Sequence, residues 1–199
     1  MIKNIQQRYH HGDLRTSLIK ATVEMINKQG VEAITMRSLS NWVGVSRTAA
    51  YRHFSNKVDL LTATATEGFK QFSLALRVAR LDYSEDELGR FRLMGQAYVQ
   101  FAIEHSAYYG LMFSDASIQK TDAFDEASSA AFTELVDILV TLQEANKIKT
   151  EDPKMQANFV WSLMHGFSSL LINGKLQHID DLSKEMTYLD QKIMASLVE

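Results

Sequence analysis

The chain of 199 residues has no cysteine, one proline and no long hydrophobic run. Without cysteine it has no disulfide framework, no thiolate nucleophile and no cysteine-based zinc site. Its most apolar stretch, residues 159–172, is too short to span a bilayer and is interrupted by Ser162, His165 and Gly166. The first residues form no basic-then-apolar leader, so we expect a cytoplasmic protein without membrane contact.

Signatures of common enzyme sites are missing as well. The sequence has no nucleophile elbow, phosphate-binding loop, dinucleotide fingerprint or zinc-protease motif, so we expect no catalytic site and no cofactor. Adjacent His10 and His11 lack the i, i+4 spacing that would align two ligands on a helix, so we expect no metal site. An all-helical enzyme using His165 or a buried tyrosine for acid–base work is one alternative, and a helical interaction protein is another.

Charge is distributed unevenly along the chain. Residues 1–60 contain nine Lys/Arg and four Asp/Glu, a balance of +5, whereas the other 139 residues hold 12 basic and 20 acidic side chains, a balance of −8. A basic end on an acidic body favours contact between the N-terminal part and a polyanion. Taken alone, the same clustering is also compatible with chance.

Apolar residues recur three and four positions apart, and there is no long alternation of the kind that strands show. The fold class is therefore predicted to be all-α. The first helix is predicted to begin at Asp13 and to end at Gly30, a residue that tolerates a positive φ. Further N-caps are predicted at Thr35, Ser46, Asn56 and Asp152. The later helices are predicted near residues 57–77, 85–105, 107–114, 120–146, 153–173 and 181–197.

Residues 35–54, TMRSLSNWVGVSRTAAYRHF, have the pattern of a helix, a glycine turn and a second helix. A helix-turn-helix places its second helix in the major groove of DNA. Arg47, Thr48 and Ala49 lie on the leading turn of that helix, where arginine can bind guanine and small methyl groups can pack on thymine. Val45 and Phe54 are predicted to face the small core.

The segment TMRSLSNWVGVSRTAAYRHFSNKVDLL, residues 35–61, closely resembles the DNA-binding segment of the TetR family of bacterial transcriptional regulators. The resemblance implies that Arg47, Thr48 and Ala49 read bases. It implies phosphate contacts by Tyr51 and Lys57, with weaker phosphate-side candidates at Thr35, Arg37, Ser46 and His53. Two departures are Ser40, where the family often has alanine, and Trp42, at a usually smaller position whose role the sequence does not assign.

The N-terminal stretch RYHHGDLR is predicted to be a DNA-facing lead-in to the first helix. Arg8 is its best candidate for reaching phosphate or the minor groove.

A second resemblance lies in the C-terminal half. WSLMHG at residues 161–166 resembles the Trp-x-x-x-His-Gly signature of one group of TetR C-terminal domains, and HSAYYGLMF at residues 105–113 resembles a segment of the same group, although proline is more usual at Ser106. The N-terminal YHHGDLR also recurs in that group. In the family the last two helices form a two-fold dimer interface, so we expect a homodimer through helices 153–173 and 181–197.

The residue pattern of these two helices agrees with that role. The helix at 153–173 is apolar on more than one face. The last helix has an apolar stripe at near-heptad spacing that suits packing against a partner: Leu182, Met186, Leu189, Ile193 and Leu197. Two-fold symmetry would match a palindromic double-stranded DNA operator.

Aromatic and methionine side chains cluster in the C-terminal part and predict an effector pocket. The candidates are Met94, Tyr98, Phe101, Tyr108, Tyr109, Met112, Phe113, Phe132, Trp161, Met164 and His165. Ordinary helical core is the alternative for each of them, and His165 in particular is more often a structural histidine than a ligand contact.

The sequence thus predicts a DNA-binding module at residues 1–56 and an effector-binding and dimerisation domain at residues 57–199, connected by the helix 57–77. The expected function is a dimeric repressor that an unknown small, largely apolar or aromatic effector releases from DNA. An activator, or a regulator without an effector, is the alternative within the same class.

Overall fold

The computed structural model describes residues 14–83, 85–114, 118–176 and 179–198. Within these ranges every regular element is helical, which confirms the all-α prediction. The α-helices are α1 (Leu14–Gln29), α2 (Met36–Val43), α3 (Arg47–Tyr51), α4 (Lys57–Arg80), α5 (Glu87–Glu104), α6 (Ser106–Met112), α7 (Asp122–Glu144), α8 (Pro153–Ile172) and α9 (Leu182–Val198). The predictions for Arg8, His10, His11 and Asp13 lie outside the described residues.

Helices α1 to α3 form a small three-helix unit around one apolar centre. Leu18, Leu39, Ala50 and Phe54 are each at most 1% exposed, so α1 and both helices of the helix-turn-helix are anchored in this centre. The prediction for Phe54 is confirmed, whereas Val45 lies half-buried at the edge.

Local hydrogen bonds set the helix starts at the predicted positions. The Thr35 hydroxyl accepts from the Ser38 amide at 3.0 Å and caps α2, and the Ser46 hydroxyl accepts from the Ala49 amide at 3.1 Å and caps α3. Gly44 ends α2 in the left-handed conformation, at φ +78° and ψ +31°. This turn between two capped helices determines the angle at which α3 leaves α2.

The connection from α1 to α2 contains a 3₁₀ turn, Val31–Ala33, that helical periodicity did not predict. Gly30 precedes it at φ +81° and ψ 164°, a combination that is essentially restricted to glycine. The positive φ expected at Gly30 is confirmed, and its extended ψ turns the chain away from α1 while its amide donates to the Ile26 carbonyl at 2.9 Å.

Helix α4 is the central element of the molecule. It packs against α1 at one end and against α5, α6 and α7 along the rest of its length, and it continues to Arg80, one turn beyond the prediction. There the Arg80 side chain bonds Glu134 of α7 at 2.6 Å and lies 3.4 Å from Asp137. The helix therefore links the three-helix unit firmly to the C-terminal body.

Helices α8 and α9 complete the body. Helix α8 packs on α5 and α7, and the described contacts of α9 are mainly with α5. No described helix combines the length and apolarity needed to cross a bilayer.

The apolar stripe of α9 is only partly buried inside the protomer, and the expected packing of this helix against a partner stays a prediction. Ile193 and Leu197 are 2% and 3% exposed within the protomer, and Leu182, Met186 and Leu189 line a cleft against α5. Heptad spacing indicates that a stripe needs a cover but does not identify the cover, and within the protomer the described contacts of α9 are mainly with α5.

Candidate nucleic-acid interface and cleft

Helix α3 carries polar side chains on its outer surface. Arg47 and Thr48 are exposed in its first turn, Ala49 is half-buried and Tyr51 is 51% exposed. Ala50, by contrast, is completely buried and fixes the helix to the core. The predicted base readers and Tyr51 therefore lie on a five-residue helix whose inner side is held rigidly.

The phosphate-side candidates divide into two kinds. Arg37 and His53 are exposed and have no structural role in the described contacts of their side chains. Thr35 and Ser46 are also exposed, but their hydroxyls serve as helix caps. Both hydroxyls therefore stabilise the starts of α2 and α3. Losing a cap of this kind lowers the free energy of unfolding by about 1 kcal/mol.

Lys57 has an intramolecular partner that its sequence context did not indicate. Its Nζ donates to the backbone oxygen of Val31 at 3.1 Å, which ties the first turn of α4 to the 3₁₀ turn. An ammonium group has three donors, so one bond to Val31 leaves two for a phosphate. Lys57 can therefore join α4, the three-helix unit and a DNA backbone at one point.

Two basic residues of α1 stack on aromatic rings. The Arg15 guanidinium lies 5.2 Å from the centre of the Phe54 ring, and the Lys28 ammonium lies 5.1 Å from that of Trp42. Trp42 is half-buried and packs against the core at the α1–α2 junction, which gives it a structural position. Ser40, the other departure, is fully buried and donates to the Met36 carbonyl at 2.6 Å.

A cleft of about 590 Å³ lies in the C-terminal body, between α5, α8 and α9. Its size is in the range of sites for small molecules. Four of the eleven predicted pocket residues line it: Met94, Tyr98, Trp161 and Met164. Leu76 of α4 also lines it, so the cleft touches the helix that leads to the DNA-binding unit.

The other predicted pocket residues are placed in packed core or at its edge. Phe101, Tyr108, Tyr109 and Met112 are nearly inaccessible, and Phe113, Phe132 and His165 are half-buried but do not line the cleft. Edge-to-face and tilted ring contacts join most of them, for example Phe72 with Tyr98 at 4.9 Å and Phe113 with His165 at 4.3 Å.

A chain of polar groups crosses this aromatic core. The Tyr98 and Tyr109 hydroxyls are 3.0 Å apart, the Tyr109 hydroxyl lies 2.9 Å from His165 Nδ1, and His165 Nε2 lies 3.3 Å from the Ser169 hydroxyl. The chain connects α5, α6 and α8. It satisfies groups whose burial without a partner would cost about 1–3 kcal/mol each.

Burial shifts the pKa values of the side chains in this hydrogen-bonded chain. It raises the pKa of Tyr98 far above its ordinary value, with a further contribution from nearby Tyr109, and it raises the pKa of Tyr109 as well. Burial lowers the pKa of His165. A neutral imidazole has one donor and one acceptor nitrogen, so it can donate to one of the two hydroxyls and accept from the other.

Several cleft residues were not among the predicted candidates. Gly95 and Val99 of α5 line the cleft with Val160 of α8 and Met186 of α9. The sequence signal for them was the i, i+4 spacing of Phe91, Gly95 and Val99, which places them on the same face as Met94 and Tyr98. Among the described residues, no cluster of three His, Asp or Glu side chains could hold a metal ion.

Comparison with known families agrees with this architecture. Residues 18–64 match the family model described as bacterial regulatory proteins, tetR family, and residues 91–189 match the model described as tetracyclin repressor-like, C-terminal domain. The two matches together span most of the chain. The protein belongs to the TetR family. It is therefore a DNA-binding transcriptional regulator and not an enzyme.

Individual relatives and solved structures are similar to this chain over different lengths. The nucleoid occlusion factor SlmA of Vibrio cholerae is 37% identical over 93 residues, which are 44% of this chain and 45% of SlmA. The HTH-type transcriptional regulator YobS of Bacillus subtilis is 22% identical over 91% of both chains. A solved structure of a protein of unknown function from Rhodococcus sp. RHA1 is 28% identical, with a TM-score of 0.84 over 98% of this chain and 100% of that one.

Replacing Lys57 by alanine should weaken binding to all DNA sequences by a similar factor and reduce the salt slope of log K by about 1, because one phosphate contact is lost. Binding to specific and unrelated duplexes is measured at several salt concentrations. Lys70→Ala is the matched control, since Lys70 is exposed on the same helix outside the three-helix unit. An unchanged affinity and slope for Lys57→Ala would contradict the assignment.

The stability of this TetR-family protein should decrease with acid through His165. Because its pKa in the folded state lies below the ordinary 6.5, the unfolded chain binds more protons there, and the free energy of unfolding falls as pH falls through the window between the two values. Denaturant unfolding between pH 7 and pH 5 measures this slope. His165→Gln should have a shallower slope, and identical slopes for the two proteins would refute the role of His165.

Proposed function

We propose that the protein is a homodimeric repressor of a palindromic operator, released from DNA by a small, largely apolar or aromatic effector. The observation that carries the DNA part is the leading turn of α3, with Arg47 and Thr48 exposed above a buried Ala50. Arg37, Tyr51, His53 and Lys57 surround this turn as the backbone contacts, and Arg8 belongs to the same proposal. A recognition helix of this kind reads bases while its surroundings hold the phosphates.

An exposed apolar face of α8 supports the dimer. Met155, Phe159, Leu163 and Leu170 lie on one side of this helix, and they are 70%, 41%, 36% and 46% exposed. Ser162 and Gly166 are on the same side, where small side chains allow a second helix to come close. A two-fold axis through this face would give a dimer with two copies of α3, and reading an inverted repeat in successive major grooves requires these copies to lie about 34 Å apart.

The position of the cleft supports an effector. It is lined by Leu76 of α4 on one side and by α8 and α9 on the other. Since α4 begins at Lys57 in the DNA-binding unit, a ligand that binds one orientation of α4 better than the other shifts the equilibrium between DNA-bound and released states. The division into residues 1–56 and 57–199, with α4 as the lever between them, is part of this proposal.

Finer points of the assignment rest on the sequence pattern. The run Trp161 to Gly166 supports membership of the group with a Trp-x-x-x-His-Gly signature. Repression, as opposed to activation, follows the general habit of the family. A regulator of chromosomal DNA works in the cytoplasm, where we place it.

Selection of bound duplexes from random DNA tests the DNA part. We expect an enriched inverted repeat, and Arg47→Ala should change the preference at one position of each half-site by about 1–3 kcal/mol. Arg77→Ala removes the same charge from an exposed position of α4 and should leave the preference unchanged. The absence of any enriched repeat, or the same base preference in Arg47→Ala, would exclude this role.

Sedimentation of Leu163→Glu at micromolar concentration tests the dimer. A charge in the middle of the apolar face should convert a dimeric protein into a monomer and weaken operator binding, because a buried unpaired charge is costly. Leu74→Glu is the control, since Leu74 is 61% exposed on α4. A wild-type monomer, or a Leu163→Glu protein that stays dimeric, would rule out this interface.

A further inference from the structure

The cleft is long and has one charged pair at its rim. Its lining residues on α5 run from Phe91 to Gln100, a rise of about 14 Å, and those on α9 run from Leu182 to Ile193, about 16 Å. The floor is apolar, and Phe91, Met94 and Val160 are each at most 6% exposed. This shape suits an extended apolar body.

Arg92 is the only cation that lines the cleft in the described part of the chain, and Asp190 is its only anion. Arg92 Nε donates to Asp190 Oδ2 at 3.1 Å, and this is the one ion pair described between α5 and α9. The Arg92 side chain is 54% exposed and that of Asp190 is 25% exposed. An ion pair that uses one nitrogen and is partly exposed to solvent contributes little to stability.

The Arg92 guanidinium has more N–H donors than the single contact with Asp190 uses. A carboxylate that approaches Arg92 in the plane of its guanidinium accepts two parallel N–H bonds, an arrangement stronger and more directional than a single contact. The single bond to Asp190 leaves that arrangement open to a competing carboxylate, and Asp190 is exposed enough to return to water.

We propose that the cleft binds an amphipathic carboxylic acid, with its carboxylate on Arg92 and its apolar chain along the floor between α5, α8 and α9. This proposal rests on the proposed function, in which the cleft is the effector site. Binding exchanges Asp190 for the ligand as the partner of Arg92, and it thereby removes the one ion pair described between α5 and α9. The ligand thus acts on one of the two C-terminal helices.

Calorimetric titration of the full-length protein tests the proposal with three probes of equal chain length. These are decanoate, decanol and decylammonium, each below the concentration at which it forms micelles. Decanoate should bind at least tenfold more tightly than decanol. Arg92→Gln should remove that preference and leave decanol binding unchanged, and Asp190→Asn should strengthen decanoate binding several-fold by releasing Arg92.

Gly95→Leu tests whether binding takes place in the cleft. A Cβ at position 95 would lie in ordinary contact, 3.8 Å from the Met164 side chain, and Gly95 lines the cleft, so a larger apolar side chain there takes up cleft volume without altering a charge. It should weaken all three probes. The proposal is overturned if decanol binds as tightly as decanoate, if Arg92→Gln keeps the preference, if decylammonium binds best, if Gly95→Leu has no effect, or if no probe binds.

Operator affinity with and without each probe separates this proposal from the proposed function. Decanoate that binds through Arg92 but leaves operator affinity unchanged would support the carboxylate site and contradict the effector role. Decanol and decanoate that bind equally and both release DNA would support the effector role and overturn the carboxylate site.

Discussion

The burial of α4 on several sides is the constraint on which the other features of this molecule depend. Its first turns contribute Leu60 and Leu61 to the core, and its later turns contribute Phe69 and Phe72, all at most 3% exposed. One rigid helix therefore belongs to the packing of the DNA-binding unit and of the C-terminal body at once. A protein interior at crystal-like density does not deform gradually, so the two parts of the chain share α4 as one packed element.

The same burial explains the threonines of α4. Thr64 and Thr66 are nearly inaccessible, yet their hydroxyls donate to the carbonyls of Leu60 and Thr62, four residues earlier. Thr62 also accepts from the Gln119 amide at 2.9 Å, which joins α4 to the segment before α7. A hydroxyl satisfied within its own helix can face a core at little cost, so these positions pack like small apolar ones.

The hydrogen-bonded chain of Tyr98, Tyr109 and His165 lies between the cleft and the helices that contact the DNA-binding unit. Tyr98 lines the cleft with its ring while its hydroxyl is committed to Tyr109 of α6. Helix α6 in turn packs against α4 and α1. The cleft wall therefore includes the Tyr98 ring. The hydrogen-bond partner of Tyr98, Tyr109, lies on α6, and α6 contacts the DNA-binding unit through α1.

Local sequence determined the helical class, the caps at Thr35, Ser46, Asn56 and Asp152, and the glycine turn at position 44. These features depend on a few neighbouring residues and on backbone sterics, so they can be deduced without knowing the fold. Only the tertiary structure decided which face each apolar stripe meets. It buried Ile193 and Leu197 of the α9 stripe inside the protomer, paired Lys57 with Val31 across 26 residues, and separated the predicted aromatic cluster into a cleft lining and a core. Periodicity records that a side of a helix must be covered, whereas the identity of the cover depends on contacts between residues far apart in the chain.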